Sequence, residues 1–274
     1  MPAALSTTDI PGLRTVCATR YVTPLREGGS LPAIVEADDC GLYVLKFRGA
    51  GQGPLALVAE LLAGQIGRAL GLPVPELVLV EVDAVLGRNE EDPEIRDLLR
   101  NSVGLNLALD YLPGSATYDA AADRVEADLA SDAVWFDAFV TNVDRTPRNP
   151  NLLWWHKALY FIDHGAALYF HHNWPSLETM ARSRFPAIRD HVLLRWASRL
   201  EEADRRLRPR LDAALLAGIV EQIPADWLLP QGGVSGDPGP GVDEKRAGYA
   251  AFLTQRLAAA PFLEEAVHAR AQLV

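Results

Sequence analysis

The sequence has 274 residues, of which 49% are hydrophobic, enough to form one large lobe or two small lobes around a buried core. Its 36 acidic and 26 basic residues give a net charge of -10, which argues against a general nucleic-acid-binding surface. The N-terminus lacks a basic leader and no apolar run approaches the length of a membrane span, so we expect a soluble, cytoplasmic chain.

Only two cysteines occur, Cys17 and Cys40, and their spacing matches no metal-binding motif. Both lie in segments with strand-like patterns. We therefore expect buried thiols in a reducing compartment rather than a disulfide.

The first predicted strands, residues 15–23 and 33–36, flank a turn that contains Gly28, Gly29 and Ser30. Two adjacent glycines allow backbone N–H groups to approach phosphate oxygens without an intervening Cβ. The turn matches neither the Gly-x-Gly-x-x-Gly nor the Walker pattern, so an ordinary hairpin is the alternative. We interpret it as a candidate nucleotide-covering turn.

A lone lysine, Lys46, lies among apolar residues in the next predicted strand, residues 41–47. The helix predicted for residues 54–70 carries Glu60 on a face with small residues such as Gly64, which let a helix approach a sheet closely. Glu60 could then pair with Lys46, as in kinases, where this ion pair orients the lysine that meets the nucleotide phosphates. The alternative is that both side chains are exposed.

Further along the chain, residues 76–82 and 105–109 have strand patterns, separated by a polar, acidic connection. The second strand leads into Asp110, Tyr111 and Leu112, followed by a Pro-Gly pair. We expect this segment to be a hinge that holds an adenine ring through apolar and backbone contacts. The predicted boundary between an N-lobe (1–113) and a C-lobe (114–274) lies here.

A loop with the spacing Asp-x4-Asn follows a helix predicted for residues 133–141, which Ser131 and Asp132 are expected to cap. The loop contains Asp144 and Asn149. In kinase catalytic loops with this spacing, the aspartate accepts the proton of the substrate hydroxyl and the asparagine holds magnesium.

A second acid follows a predicted hairpin formed by residues 152–155 and 158–161. The hairpin delivers Asp163 into an Asp-His-Gly turn, the place of the aspartate that chelates the metal bridging the ATP phosphates. Each element alone is common in loops. Their combination and order predict a phosphotransfer site.

Beyond this second acid the chain has no further recognisable motif, and its C-terminal third has only helical patterns. His164, His171 and His172 lie near Asp163 in sequence, but no helix carries a His-x3-His pair, so we expect a loop or substrate-rim role rather than a zinc site. Helices are predicted for residues 186–200, 201–221 and 245–257, with a Gly/Pro-rich loop at 231–242.

The order of these parts resembles the HipA-type serine/threonine kinases over roughly residues 13–170. The resemblance implies an α+β, bilobal protein-kinase-like fold, with an antiparallel N-lobe sheet carrying one helix and a mostly helical C-lobe. It implies ATP and Mg²⁺ as cofactors and a protein Ser/Thr hydroxyl as acceptor. It also implies that Asp144 is the catalytic base, that Asn149 and Asp163 are metal ligands, and that Lys46, held by Glu60, meets the phosphates.

Two other functions remain open from the sequence. A small-molecule or lipid-headgroup kinase would share this layout, and a pseudokinase could bind nucleotide and act as an interaction module. The presence of all five polar residues (Lys46, Glu60, Asp144, Asn149, Asp163) argues against a degenerate site.

Overall fold

The computed structural model describes residue 10 and residues 12–25, 31–88, 90–229 and 240–273. The candidate turn at Gly28, Gly29 and Ser30 lies outside these residues. In the described part of the chain, no helix is both long enough and apolar enough to cross a membrane.

The N-terminal strands close into a barrel in the described part of the chain. Their bounds are β1 Thr15–Pro24, β2 Ala33–Ala37, β3 Leu42–Lys46, β4 Leu77–Val82 and β5 Gly104–Asp110. The order around the barrel is β1-β2-β3-β5-β4, and β1 pairs in parallel with β4. The other neighbouring strands pair antiparallel, as expected. The expectation is wrong for β1 and β4, whose parallel pairing closes the barrel by joining two strand edges that would otherwise be unpaired.

The barrel interior is filled by alternate strand residues, including Val16, Val35, Leu45, Val80 and Ala108. The two cysteines do not contribute to this core. Both are free and exposed, one on β1 and the other in the turn after β2, so the expectation of buried thiols is wrong.

The first helix, α1 (Gly53–Ala69), packs closely against β4 and against the segment that precedes β4. A Cβ added at Gly64 would lie 2.9 Å from Leu77 Cδ2, and one at Gly67 would lie 3.0 Å from Val74 Cγ2. Small residues on this face therefore permit the close approach that the sequence predicted. The approach places Glu60, one turn earlier, inside the molecule.

A second helix, α2 (Pro93–Asn101), forms in the acidic connection that we expected to lack a helix. Asp92 caps it by accepting a hydrogen bond from Glu94 N, and proline occupies its first turn. Ile95 and Leu99 bury one face against the barrel core. The prediction of a single helix beside the sheet is therefore wrong.

The C-terminal part is mostly helical and contains a small sheet. Its elements are β6 Ala116–Thr117, α3 Ala127–Val140, β7 Leu152–Trp155, β8 Ala158–Phe161, α4 Leu177–Ala181, α5 Leu200–Leu207, α6 Ala213–Glu221, α7 Ala225–Leu228, α8 Val242–Ala259 and α9 Pro261–Ala271. The predicted β7–β8 hairpin is confirmed, and β6 adds a third strand. One large core joins α1 and α3 to the later helices.

Three helix predictions are wrong in detail. Residues 186–200 form separate 3₁₀ turns, because the chain is extended at His191, whose ring is held by buried partners. The predicted helix 201–221 is divided by a 3₁₀ turn containing Pro209, which cannot continue the hydrogen-bond ladder. Ser131 does not cap α3; it lies in the second turn and donates to the Ala127 carbonyl oxygen at 2.6 Å.

Candidate active site

The strand lysine meets both expected carboxylates. Lys46 Nζ lies 2.6 Å from Glu60 Oε2 and 2.5 Å from Asp163 Oδ1. Glu60 is completely buried, the Lys46 side chain is 13% exposed, and the Asp163 side chain is 45% exposed. The end of β3, the inner face of α1 and the turn after β8 therefore converge at one point, and the predicted Lys46–Glu60 contact is confirmed.

The electrostatics of this cluster favour the charged forms. Burial by itself raises the pKa of Glu60, but the Lys46 charge and the hydrogen bond from His164 outweigh it and lower the pKa to about 2. Burial by itself lowers the pKa of Lys46, but Glu60 and Asp163 outweigh it and raise that pKa above its usual value. Lys46 and Glu60 are therefore a charged pair at neutral pH.

His164 is a site residue whose role the sequence reasoning missed. Its backbone N–H donates to Glu60 Oε2 at 2.8 Å, and its Nδ1 lies 3.2 Å from Glu60 Oε1. The ring is fully buried and packs edge-on against Phe136, so the expected loop or rim role is wrong for this histidine. Its middle position in Asp-x-Gly, where Asp-Phe-Gly has a buried phenylalanine, was the available signal.

The catalytic-loop aspartate is held by two asparagines. Asn149 Nδ2 donates to Asp144 Oδ2 at 2.8 Å, and Asn151 Nδ2 lies 3.4 Å from the same oxygen. Burial, followed by the negative charge of Asp163, raises the pKa of Asp144. The two aspartates therefore face a common region.

Asn151 was not recognised from the sequence, which pointed to Asn149 by its spacing alone. Asn151 is 9% exposed and has a left-handed backbone with φ of 50°; Asp163 has φ of 55°. Asparagine and aspartate tolerate this conformation better than most residues, and such backbones cluster at functional sites. The Asn-Pro-Asn sequence of this loop was the signal for a second polar contact.

The predicted hinge segment begins at the end of β5. The backbone N–H of Asp110 donates to the Glu76 carbonyl oxygen at 2.8 Å, and that of Tyr111 donates to the Leu42 carbonyl oxygen at 3.0 Å. Leu112 is buried. Because the first two N–H groups are already hydrogen-bonded to backbone carbonyl oxygens, an adenine ring at this segment would have to use other backbone groups.

Two cavities adjoin these residues. A small cavity of about 20 Å³ is lined by Lys46, Gln52, Ala56 and Asp163, at the start of α1. A larger cleft of about 690 Å³ lies beside the catalytic loop; Pro147, Pro150, Tyr118, Asp119, Val192 and Arg195 are among its lining residues. The first lies at the charged cluster, and the second lies beside the loop that carries Asp144.

The donor atoms at the site suit a hard divalent cation. Asp163 supplies a carboxylate and Asn149 an amide oxygen, and Mg²⁺ is commonly held by one or two carboxylates together with phosphate oxygens and water. In the described residues, no group of three or more His, Cys, Asp or Glu could hold a metal.

His171 is buried with its Nδ1 3.0 Å from the Tyr249 hydroxyl, so it does not line a substrate rim.

Comparisons with known proteins identify a similar fold and a family. A search of curated proteins found no match. The crystal structure of the Helicobacter pylori proinflammatory kinase CtkA is similar in fold, with a TM-score of 0.53 and 14% identity over 88% of this chain and 94% of that chain. The family model for HipA-like kinases matches residues 19–235. Because that match covers most of the chain, the protein belongs to the HipA-like kinase family.

Proposed function

We propose that the protein transfers the γ-phosphate of ATP to a serine or threonine hydroxyl of a protein, with Mg²⁺ as the metal. The family implies a phosphotransferase that uses ATP and usually a divalent metal. The observation that carries the proposal is the charged cluster, in which Lys46 contacts both Glu60 and Asp163.

Each side chain has a role that follows from its position. Lys46 binds the nucleotide phosphates, and Glu60 keeps its ammonium group oriented. Asp163 and Asn149 would hold Mg²⁺, which neutralises charge on the transferred phosphoryl group when bound. Asp144, held by Asn149, accepts the proton of the acceptor hydroxyl.

The cleft of about 690 Å³ beside the catalytic loop supports a polypeptide acceptor. Its lining includes the loop prolines Pro147 and Pro150 together with residues 117–121. A cleft of this volume offers room for residues that flank an acceptor hydroxyl. Transfer to a small molecule or a lipid headgroup is the competing outcome.

The proposal is tested by incubating the protein with γ-labelled ATP, Mg²⁺ and a lysate of the source organism. We expect label on serine or threonine of a protein band. Label only in the small-molecule or lipid fraction would contradict the protein acceptor, and no labelled product of any kind would contradict kinase activity and favour a pseudokinase.

Two active-site variants and one control make the test specific. Asp144→Asn should bind ATP normally yet lose about a thousandfold in transfer rate, whereas Asp163→Asn should lose Mg-dependent ATP binding. Asp190→Asn is the control, because this exposed carboxylate pairs only with its neighbour Arg189 among the described contacts. Equal loss of ATP affinity in both active-site variants would contradict the division of roles.

A further inference from the structure

A buried cluster of Asp137, Arg145 and His191 lies beneath the catalytic loop. Arg145 Nε lies 2.6 Å from Asp137 Oδ2, and both side chains are completely buried. His191 Nε2 lies 2.8 Å from the same oxygen, and Asn142 Nδ2 donates to Asp137 Oδ1 at 2.9 Å. The carboxylate on α3 therefore holds three polar partners, one of which directly follows Asp144 in sequence.

The hydrogen bonds define the protonation of this cluster. His191 Nδ1 accepts a hydrogen bond from Leu193 N at 3.0 Å, so the ring proton lies on Nε2 and is donated to Asp137. Burial lowers the pKa of His191, which keeps the ring neutral. For Asp137, burial opposes ionisation, but the Arg145 charge and the His191 hydrogen bond outweigh it and lower its pKa.

The Arg145 guanidinium also contacts the chain next to the second acid. Its Nη1 donates to the Asn151 carbonyl oxygen and to the Ile162 carbonyl oxygen, the latter at 3.3 Å. Ile162 directly precedes Asp163, and Ile162 N in turn donates to the Asn151 carbonyl oxygen at 3.1 Å. One buried cation therefore joins α3, the catalytic loop and the chain just before Asp163.

We propose that Asp137, Arg145 and His191 are positioning residues that set the separation of Asp144 from Asp163. The proposal rests on the proposed phosphotransfer function. An isolated buried ion pair contributes little net stability compared with apolar packing, so stability alone does not account for this cluster. Its specific feature is that the planar fork of Arg145 reaches a carboxylate and two carbonyl oxygens at once.

The first test replaces the planar guanidinium group of Arg145 with the ammonium group of lysine, which keeps the positive charge. Lysine at position 145 can pair with Asp137 or reach the carbonyl oxygens, but it lacks the geometry for both. We expect Arg145→Lys to lower kcat by about a hundredfold, the scale on which a small misplacement of catalytic groups acts. Its dissociation constant for Mg-ATP should rise by a smaller factor than kcat falls, because Asp163 and the Lys46–Glu60 pair are retained and only the hydrogen bond to the Ile162 carbonyl oxygen, next to Asp163, is weakened.

A second pair of variants addresses His191 without altering a charge. His191→Phe removes the donor to Asp137 and should lower kcat by about tenfold. His191→Gln keeps an N–H donor and should recover most of that loss. Rescue by glutamine is not expected if the ring only fills space, because phenylalanine fills it better.

The control is Arg208→Lys, which alters an arginine in the same part of the molecule. Arg208 pairs with Asp204 at 2.7 Å and donates to the Leu257 carbonyl oxygen at 2.6 Å, and neither Asp144 nor Asp163 is among its described contacts. This variant should lower the thermal unfolding midpoint while kcat stays at the wild-type value. Wild-type kcat in folded Arg145→Lys, or a loss in Arg208→Lys equal to that in Arg145→Lys, would overturn the proposal.

Amide hydrogen exchange separates this proposal from the proposed function. In Arg145→Lys, exchange should accelerate in peptides that cover residues 142–151 and 162–165, whereas Arg208→Lys should leave those peptides unchanged. If the wild type transfers no phosphate, the proposed function fails, and the exchange result still decides whether the cluster holds the two acidic segments. Unchanged exchange in Arg145→Lys would refute the positioning role.

Discussion

The Lys46–Glu60 pair gives a stability prediction that does not depend on knowing the acceptor. In Lys46→Met, Glu60 remains completely buried and loses its nearest cation, so its contacts with His164 are the remaining polar support. Removing one partner of a buried ion pair typically costs about 3–5 kcal/mol, because an uncompensated charge is left behind. We expect the free energy of unfolding to fall by about this amount.

The other two variants of the cycle should cost less. In Glu60→Gln, Lys46 keeps Asp163 at 2.5 Å and has partial access to solvent, so we expect a loss of about 1–3 kcal/mol. In the double variant neither position 46 nor position 60 carries a charge, so this variant should be more stable than Lys46→Met alone. The coupling energy of the cycle should be about 2 kcal/mol or more.

Urea denaturation followed by tryptophan fluorescence measures all four proteins. An exposed pair, Arg199 with Asp128 at 3.1 Å, is the control, and its cycle should give a coupling below about 1 kcal/mol. Additive losses for Lys46 and Glu60 would refute the reasoning. Lowering the pH from 7 should restore part of the stability of Lys46→Met, because burial without the lysine raises the pKa of Glu60 and the folded state then takes up a proton.

Three further outcomes are expected. Burial lowers the pKa of His171 from 6.5 to about 3, so the unfolded state takes up the proton first as the pH falls below 6.5. His171 should then contribute a drop in the free energy of unfolding of up to about 1.4 kcal/mol per pH unit, and His171→Leu should reduce the slope by that amount in pH-dependent denaturation. Gly64→Ala would place a methyl group 2.9 Å from Leu77 Cδ2 and should destabilise the protein by about 1–3 kcal/mol, measured by urea denaturation. Asn149→Ala should raise the Mg²⁺ concentration needed for half-maximal transfer, whereas an unchanged requirement would exclude Asn149 as a ligand.

Local pattern was sufficient to predict several of the residues that form the candidate site. Alternation located the strand that carries Lys46, helical periodicity and small residues located Glu60, and the Asp-x4-Asn and Asp-x-Gly spacings located Asp144 and Asp163. These signals work because strand and helix periods place side chains on definite faces within a few residues. The order of the elements was enough to indicate the family.

The parts that escaped prediction depend on contacts between distant residues. Residues 186–200 carry helix-forming side chains, yet the backbone is extended at His191, whose ring is held by Asp137, 54 positions earlier.

The parallel pairing of β1 with β4 closes the barrel across about sixty residues, and nothing in either strand's alternation specifies its partner. In the same way, the roles of His164 and Arg145 depend on which buried carboxylate lies opposite. The sequence thus determined which polar and charged side chains are present and on which face of a strand or helix each lies. Tertiary packing decided which of them come into contact. The physical reason is that a buried charge needs a partner, and that partner comes from a distant part of the chain.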